Sequence, residues 1–370
     1  HKKRCEHGCL MNLIPLIDKL SAENNLPREE LKLLLGNMTT EEEAYLFATA
    51  RTTAQAVYGR NVFLRGIVEF SNYCRNDCRY CGIRASNANA ERYRLSIEQI
   101  LESCRRAHEL GFMTFVLQSG GDLSYSDDDI SDIVSEIKRR WPTCAVTLSI
   151  GEKTRESYQK YYDAGADRYL LRHETSNPLH YAYLHPSGMS VRNRQRCLED
   201  LKDIGFQVGC GMMVGSPMQT TENILEDLLF MKDFQPHMAG IGPFIPHSGT
   251  PFAEESPGSV QLTLHLLSII RLMLPNVLLP ATTALGTSDP MGREKGILAG
   301  ANVIMPNVSP VFAKKKYILY DGKICTDEDA SYCNRCLEMR MKRIGYSISR
   351  SRGDYKTLDD FQSVSHIDKT

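Results

Sequence analysis

Three cysteines stand at fixed offsets, Cys74, Cys78 and Cys81, in the stretch SNYCRNDCRYCGIR, a CxxxCxxC pattern. Twelve cysteines scattered at random along the chain would produce those offsets about 0.01 times. Three closely spaced thiolates can hold three irons of a cubane iron–sulfur cluster and leave the fourth iron without a protein ligand, and an open iron is a binding site. Zinc competes for thiolates, but a structural zinc wants four ligands, and no histidine stands at ligand-like spacing near this loop. Electron-transfer ferredoxins use four cysteines in a small fold, so three in a long chain argue for a catalytic cluster. A second group, Cys325, Cys333 and Cys336 in CTDEDASYCNRC, has the spacing Cx7CxxC. Lacking a fourth thiolate, it would need water or another side chain to complete a 2Fe–2S cluster. A reduced trio or a zinc site stays open beside that reading. Cys104, Cys144, Cys197 and Cys210 lie on apolar strand or helix patterns and read as small core residues. Cys5 and Cys9 stand in a polar start and read as a processing remnant rather than a site.

The elements that must carry the first loop follow from periodicity. From Val62 onward, eight short β-branched runs alternate with amphipathic helical stretches: 62–70, 113–118, 145–150, 168–174, 206–214, 238–245, 277–281 and 302–305. Helical patterns lie between them, near 96–110, 126–140, 154–164, 192–204, 220–233, 259–274 and 291–299. Gly111, Gly165, Gly205 and Gly300 stand where left-handed helix caps are expected. Eight βα repeats with no dinucleotide fingerprint after the first strand point to an α/β chain closed as a (β/α)8 TIM-type barrel. In such a barrel, chemistry sits on the loops after the strands, where Cys74, Cys78 and Cys81 fall. The expected organisation is an N-terminal helical extension over 1–60, the barrel over 61–310, and a cysteine-bearing extension over 311–370.

Composition narrows the function classes. The 370 residues are 42% hydrophobic, enough for a large core, and 44 basic against 45 acidic residues leave no electrostatic footprint for nucleic acid. The apolar region 262–285 is broken by His265, Arg271, Pro275, Asn276 and Pro280, so no membrane span is expected. No small-residue cleavage site follows the basic start, and the cysteine usage suits a reducing compartment. A cytoplasmic location is expected, or an organelle only if a transit peptide has been removed. His180, His185, His237, His247 and His265 share no ligand spacing and read as core or surface residues. The basic tail 340–352 reads as a solvated helix face.

Strand period two gives the barrel interior. Arg168, Leu170, Arg172 and Glu174 share one face of the fourth strand, opposite Tyr169, Leu171 and His173. Arg65, Ile67 and Glu69 share a face of the first. If these faces point inward, three guanidiniums and two carboxylates line the lumen, ready to bind an anion through charge-assisted hydrogen bonds or to satisfy one another.

The CxxxCxxC loop after the first barrel strand resembles the radical S-adenosylmethionine (SAM) enzymes. Beyond it, FLRGIVEFSNYCRNDCRYCGIR, VLQSGGD, AVTLSIGE, GADRYLLRHET, GIGPFIPHSGTPF, PATTALGT and GREKGILAGANVIMPN resemble, in order, the E-type maturases of the FeFe-hydrogenase H-cluster, over about 61–336. Biotin synthase and methylornithine synthase are similar in architecture. The resemblance implies that Cys74, Cys78 and Cys81 ligate a 4Fe–4S cluster whose open iron chelates SAM, with Tyr80 next to the adenine. It implies SAM contacts at Gln118, Glu174 and Arg194, and a close backbone approach at Gly209 and Gly211, whose alternative role is strand packing. Arg65, Thr147, Arg168, Arg172, Thr282 and Thr283 match cavity-lining, substrate-binding positions. Arg172 and Glu174, nearer the mouth, are the expected catalytic residues. Two departures stand out. Ser119, Gly120, Gly121 and Asp122 replace the family's Ser-Gly-Glu-Asp, removing a glutamate near the methionyl amine. The fifth-strand loop reads MVGSPMQT where a leucine and a second glycine are expected.

By the same resemblance the chain is a radical SAM enzyme that assembles the diiron subcluster of FeFe-hydrogenase. Its implied substrate is a small cysteine-ligated iron carbonyl cyanide synthon, amino-acid-like and anionic, made by a tyrosine-cleaving radical SAM maturase. The product passes toward a GTPase maturase, and a ferredoxin or flavodoxin serves as reductant. An accessory 2Fe–2S cluster, present in some E-type maturases, would occupy Cys325, Cys333 and Cys336. The competing readings are a radical SAM mutase acting on an amino-acid-like anion and a non-catalytic iron–sulfur carrier or scaffold.

Overall fold

A ring of parallel pairings, read from a computed structural model that describes residues 12–357, organises the chain; Cys5 and Cys9 lie outside the described residues. The first strand run is split by Arg65 into β1 (Asn61–Leu64) and β2 (Gly66–Ser71). β3 (Thr114–Ser119), β4 (Ala145–Ser149), β5 (Arg168–Leu170) and β6 (Gln207–Cys210) follow, with β7 (Met213–Val214), β8 (Met238–Ala239) and β9 (Gly242–Pro243) as short pieces. β10 (Val303–Ile304) and β11 (Ser347–Ser349) complete the set. The order β2-β3-β4-β5-β6-β8 is parallel throughout. Bridges Met238↔Leu278 and Pro280↔Val303 carry the ring on, and β10 pairs back onto β1 at Phe63↔Val303. The barrel therefore closes with eight strand positions, as the repeat pattern predicts. The seventh, expected over 277–281, survives only as the two bridges, because Pro280 has no N–H to give a ladder.

The outer helices form where the apolar spacing predicts them. Helix Ile97–Glu109 buries Ile100, Leu101, Cys104 and Ala107 on one face and starts with a Ser96–Gln99 capping box. Helices Asp127–Arg140, Arg155–Asp163, Val191–Ile204, Thr221–Phe234, Val260–Met273 and Gly292–Leu298 repeat the arrangement. Gly111, Gly165, Gly205 and Gly300 all take positive φ at the ends of helices, as expected of caps. Cys104, Cys144, Cys197 and Cys210 are fully buried in the core. Among the described residues, no helix is long and apolar enough to cross a membrane.

The C-terminal extension reaches both ends of the barrel. Residues 317–325 cross the mouth, where Leu319 O accepts from Gly82 N at 2.8 Å and Lys323 Nζ meets Glu69 Oε1 at 2.7 Å in a buried pair. Beyond helix Ala330–Arg343, β11 pairs in parallel with β1. Arg352, Asp354 and Tyr355 then tuck under the barrel base. The basic tail is thus more than a solvated helix face: Arg340 pairs with Glu294 at 2.5 Å, and Arg352 pairs with Asp167 at 2.8 Å.

Candidate active site

The loop after β2 is held from several sides. Ser71 Oγ donates to Asp122 Oδ2 at 2.5 Å, and Arg94 pairs with the same carboxylate at 2.7 Å while lying over the Tyr73 ring. Asp77, held well below the usual carboxylate range by Arg84 and Ser86, pins the middle of the loop. Arg79 N donates to Leu184 O at 2.9 Å. Gly121, standing where the family has glutamate, donates its N–H to Cys74 Sγ at 3.2 Å and accepts from Arg75 N at 3.0 Å.

So fastened, Cys74, Cys78 and Cys81 stand half-buried and, among the described residues, in no disulfide. Burial, with Cys74 beside it, pushes the Cys78 thiol up to about 12, and burial with Cys78 beside it raises Cys81 further. Three crowded thiolates in a dry site are unfavourable unless a cationic group holds them, which a cubane iron cluster does. The donor set therefore fits a three-cysteine 4Fe–4S cluster. Gly120 shows how closely the loop is packed: a Cβ there would sit 2.2 Å from Tyr73 O and 2.8 Å from Cys74 Cβ. We expect Gly120→Ala to displace the cysteine loop and lower iron bound per chain after anaerobic reconstitution, while the melting transition stays cooperative; unchanged iron content would contradict this packing.

A cavity of about 320 Å³ opens beside the thiols, lined by Cys74, Cys81, Tyr80, Gln118, Arg172, Glu174, Arg194 and Thr282 among others. Arg172 pairs with Glu174 at 2.9 Å. Glu174 adopts φ +66, a conformation that costs a non-glycine residue energy and is over-represented at functional sites; its N–H is held by Gly211 O at 3.0 Å. Arg194 pairs with Glu152 at 2.6 Å and donates to the Arg172 carbonyl. Tyr80 donates to His185 Nε2 at 3.1 Å, while His185 Nδ1 faces the Tyr181 carbonyl at 3.0 Å. A carbonyl only accepts, so Nδ1 carries the proton and Nε2 is free to accept from Tyr80. Burial and Arg194 pull the His185 pKa down to about 3, keeping the ring neutral. Sequence reasoning set His185 aside as core or surface and missed its hold on Tyr80. It also missed Tyr317, Leu319 and Tyr320, which the extension brings into the cavity wall, with Tyr317 OH 3.4 Å from Gln118 Nε2. Tyr181 and His185, four apart around helix Pro178–Leu184, were the available signal.

Strand alternation holds: Tyr169 packs outward on Tyr158 and Phe206, and His173 on Phe230. The inward set divides by depth. Among the described residues, Arg65 Nε and Nη2, Thr147 Oγ1 and Arg172 Nε are buried without a hydrogen-bond partner. Burial and then Arg168 both oppose the Arg65 charge. Arg168 lies at the other end from the cysteines, fully buried and satisfied by Asp354 at 2.6 Å, Thr114 Oγ1 at 3.1 Å, Gln207 Oε1 at 3.1 Å and Arg352 O at 3.0 Å. Its hydrogen-bonding groups are thus filled by a network of this chain's own residues, to which the tail supplies a carboxylate. Thr283 lines a separate small cavity with Glu69, Arg293 and Cys325. Gly209 and Gly211 do not line the main cavity. Added side chains there would strike Leu170 and the Gly240 carbonyl, so strand packing uses their smallness. Cys325 and Cys333 line the same small cavity as Thr283, with Arg293 Nη1 3.9 Å from Cys325 Sγ.

A family model described as the radical SAM superfamily matches residues 68–231. The chain is 46% identical to the FeFe-hydrogenase maturase subunit HydE of Thermotoga maritima, over 94% of this chain and 99% of that protein. It is 28% identical to 3-methylornithine synthase of Methanosarcina acetivorans over 88% of this chain and 91% of that protein. Among solved structures, methylornithine synthase superposes with a TM-score of 0.78 at 25% identity, covering 94% of this chain and 99% of that one. The hydrogenase maturase HydG shares the fold at the same TM-score and 22% identity, covering 96% of this chain and 80% of that one.

Proposed function

The chain belongs to the family of the FeFe-hydrogenase maturase subunit HydE within the radical SAM superfamily and is a radical SAM enzyme, and we propose that it acts in assembling the diiron subcluster of the FeFe-hydrogenase H-cluster. The observation that carries the reading is the set of orphaned donors on Arg65, Thr147 and Arg172 inside a barrel whose mouth holds the three-cysteine loop. Buried donors without acceptors are rare and costly, so they call for an anionic ligand to complete them. A cysteine-ligated iron carbonyl cyanide synthon, anionic and amino-acid-like, meets that requirement. A 4Fe–4S cluster held by Cys74, Cys78 and Cys81, once reduced by one electron from a redox partner, would supply that electron to the sulfonium of bound SAM, whose C–S bond would break to give methionine and a carbon-centred radical.

The chain's own residues orient and enclose. Cys74, Cys78 and Cys81 hold the cluster, Tyr80 is fixed by His185 against the cavity wall, and Gln118, Glu174 and Arg194 offer polar contacts to SAM. Arg172 and Glu174, joined by their ion pair, stand between the SAM side and the lumen as the catalytic pair. Tyr317, Leu319 and Tyr320 line the cavity from the C-terminal extension and narrow its access to water. A tyrosine-cleaving maturase supplies the substrate, a GTPase maturase receives the product, and a small redox protein such as a ferredoxin or flavodoxin delivers the electron.

The test is a reconstituted maturation extract containing apo-hydrogenase and the two partner maturases. Adding this chain with SAM under reducing conditions should restore hydrogen evolution, and omitting it should leave only background. Efficient SAM cleavage driven by an amino acid, with no gain in hydrogen evolution, would instead support the mutase reading.

A further inference from the structure

Arg172 and Glu174 line the main cavity, while His173 between them points the other way, onto Phe230 at a ring distance of 4.8 Å. Its side chain is fully buried, and so is the carboxylate it faces, that of Asp227 on helix Thr221–Phe234, with Nε2 3.4 Å from Oδ1. The contact is one of charge and dipole, outside hydrogen-bond geometry. A histidine and an aspartate placed together away from water are costly to bury, and apolar side chains would fill the same volume without that cost. The pair therefore calls for a use.

The backbone around Glu174 supplies one. Gly211, just after β6, is gripped through both of its backbone polar groups: its carbonyl accepts from Glu174 N at 3.0 Å, and its N–H donates to His173 Nδ1 at 3.2 Å. Because Nδ1 accepts, the ring proton sits on Nε2, the nitrogen beside Asp227. Asp227 in turn holds the same segment from the other side, its Oδ1 accepting from Ser176 N at 2.5 Å and from Ser176 Oγ at 2.8 Å. Residues 173 and 176 are thus fixed on either side of Glu174, which takes φ +66 between them. A left-handed backbone costs a non-glycine residue energy and persists only where its surroundings impose it. Gly211 cannot move aside to relieve it: a Cβ there would sit 2.0 Å from the Gly240 carbonyl oxygen, so closely are the two strands packed.

We propose that His173 and Asp227 are positioning residues for SAM: through Gly211 and Ser176 they hold Glu174 in its strained conformation and so present its carboxylate to the cavity, where it pairs with Arg172 at 2.9 Å. This role rests on Glu174 being a SAM contact. A carboxylate already aimed loses little freedom when its ligand arrives, which is where such strain contributes. The amide isosteres of histidine separate positioning from packing, because asparagine carries a polar atom near the place of Nδ1 and glutamine near that of Nε2.

The experiment uses the full chain with its 4Fe–4S cluster rebuilt anaerobically and measures SAM affinity by equilibrium dialysis of labelled SAM, with iron per chain and melting temperature alongside. His173→Asn keeps an acceptor for the Gly211 N–H and should bind SAM within about 3-fold of wild type. His173→Gln is closer to histidine in volume but leaves that N–H without an acceptor, and should weaken SAM binding at least about 10-fold at unchanged iron content. Packing alone would rank the two the other way. Asp227→Asn keeps the volume and an acceptor for Ser176; it should weaken SAM binding at least about 5-fold, and it decides the question if His173→Gln loses its iron. Both losses should vanish once the carboxylate is gone, so that His173→Gln/Glu174→Ala and Asp227→Asn/Glu174→Ala bind SAM no more weakly than Glu174→Ala alone. Wild-type SAM affinity in folded His173→Gln, or losses that add in full to that of Glu174→Ala, would overturn the positioning role while leaving Glu174 a SAM contact. Wild-type affinity in Glu174→Ala itself would remove both.

Discussion

Replacing Cys74, Cys78 and Cys81 together by alanine should leave a folded chain with no reduced 4Fe–4S signal and no cleavage of SAM. The loop's shape does not rest on its thiols. Asp77–Arg84, Arg79–Leu184, Gly82–Leu319 and Ser71–Asp122 hold it through groups the substitution leaves alone, while the Gly121 N–H, the Ile83 N–H and the Tyr80 hydroxyl each lose a contact to sulfur. Losing each of these costs about 1 kcal/mol or less, within the stability of a folded domain. The chemical loss is complete, because alanine offers no ligand and no other described cysteine faces the cavity. Electron paramagnetic resonance of the dithionite-reduced protein and chromatography of 5′-deoxyadenosine measure the two effects. A folded triple variant that still releases 5′-deoxyadenosine would remove the cluster assignment. Joint replacement of Cys325, Cys333 and Cys336 should leave that signal in place.

Arg65→Leu and Arg168→Leu should behave in opposite ways, although both arginines point into the same barrel. Arg65 has no carboxylate partner and two nitrogens without hydrogen bonds, so its charge is already uncompensated. A leucine there removes that burden and should stabilise the free protein by about 1–2 kcal/mol, while maturation falls to background and SAM still binds and is cleaved without substrate. Arg168 pairs with Asp354 at 2.6 Å and holds three further acceptors. Its replacement leaves Asp354 paired with Arg352 alone and strips Thr114, Gln207 and the Arg352 carbonyl of their donor, and should cost about 3 kcal/mol, the lower end for breaking a buried pair because Asp354 is partly exposed and keeps a second cation. Whatever Arg168→Leu protein remains folded should mature hydrogenase. Melting temperature, SAM titration and hydrogen evolution in a reconstituted extract separate the cases. Normal maturation by Arg65→Leu would mean that the lumen donors do not hold the substrate.

The CxxxCxxC loop, the eight alternating strand and helix patterns and the shared faces of the first and fourth strands were legible in the residues alone, because each depends on neighbours a few positions apart. Spacing within one loop decides whether three thiolates can share a cluster, and period two decides which side chains face the lumen. The order along the barrel axis was legible, with Arg172 and Glu174 nearer the mouth, but what meets each side chain at its depth was not. Arg168 and Arg172 share a face, yet four residues at about 3.3 Å each separate base from mouth, and alternation says nothing about which end a ligand or a tail will occupy. The partner of Arg168 comes from 186 residues further on, and part of the cavity wall from Tyr317, Leu319 and Tyr320. The same limit applies to the second cysteine group, whose spacing names Cys336 while the folded loop brings up Glu328. The sequence by itself determined a barrel with three thiolates at its mouth and charges on its inner face. Only the tertiary structure decided which of those charges is satisfied and which stands open, since a buried group's partner is chosen by long-range packing that no local pattern encodes.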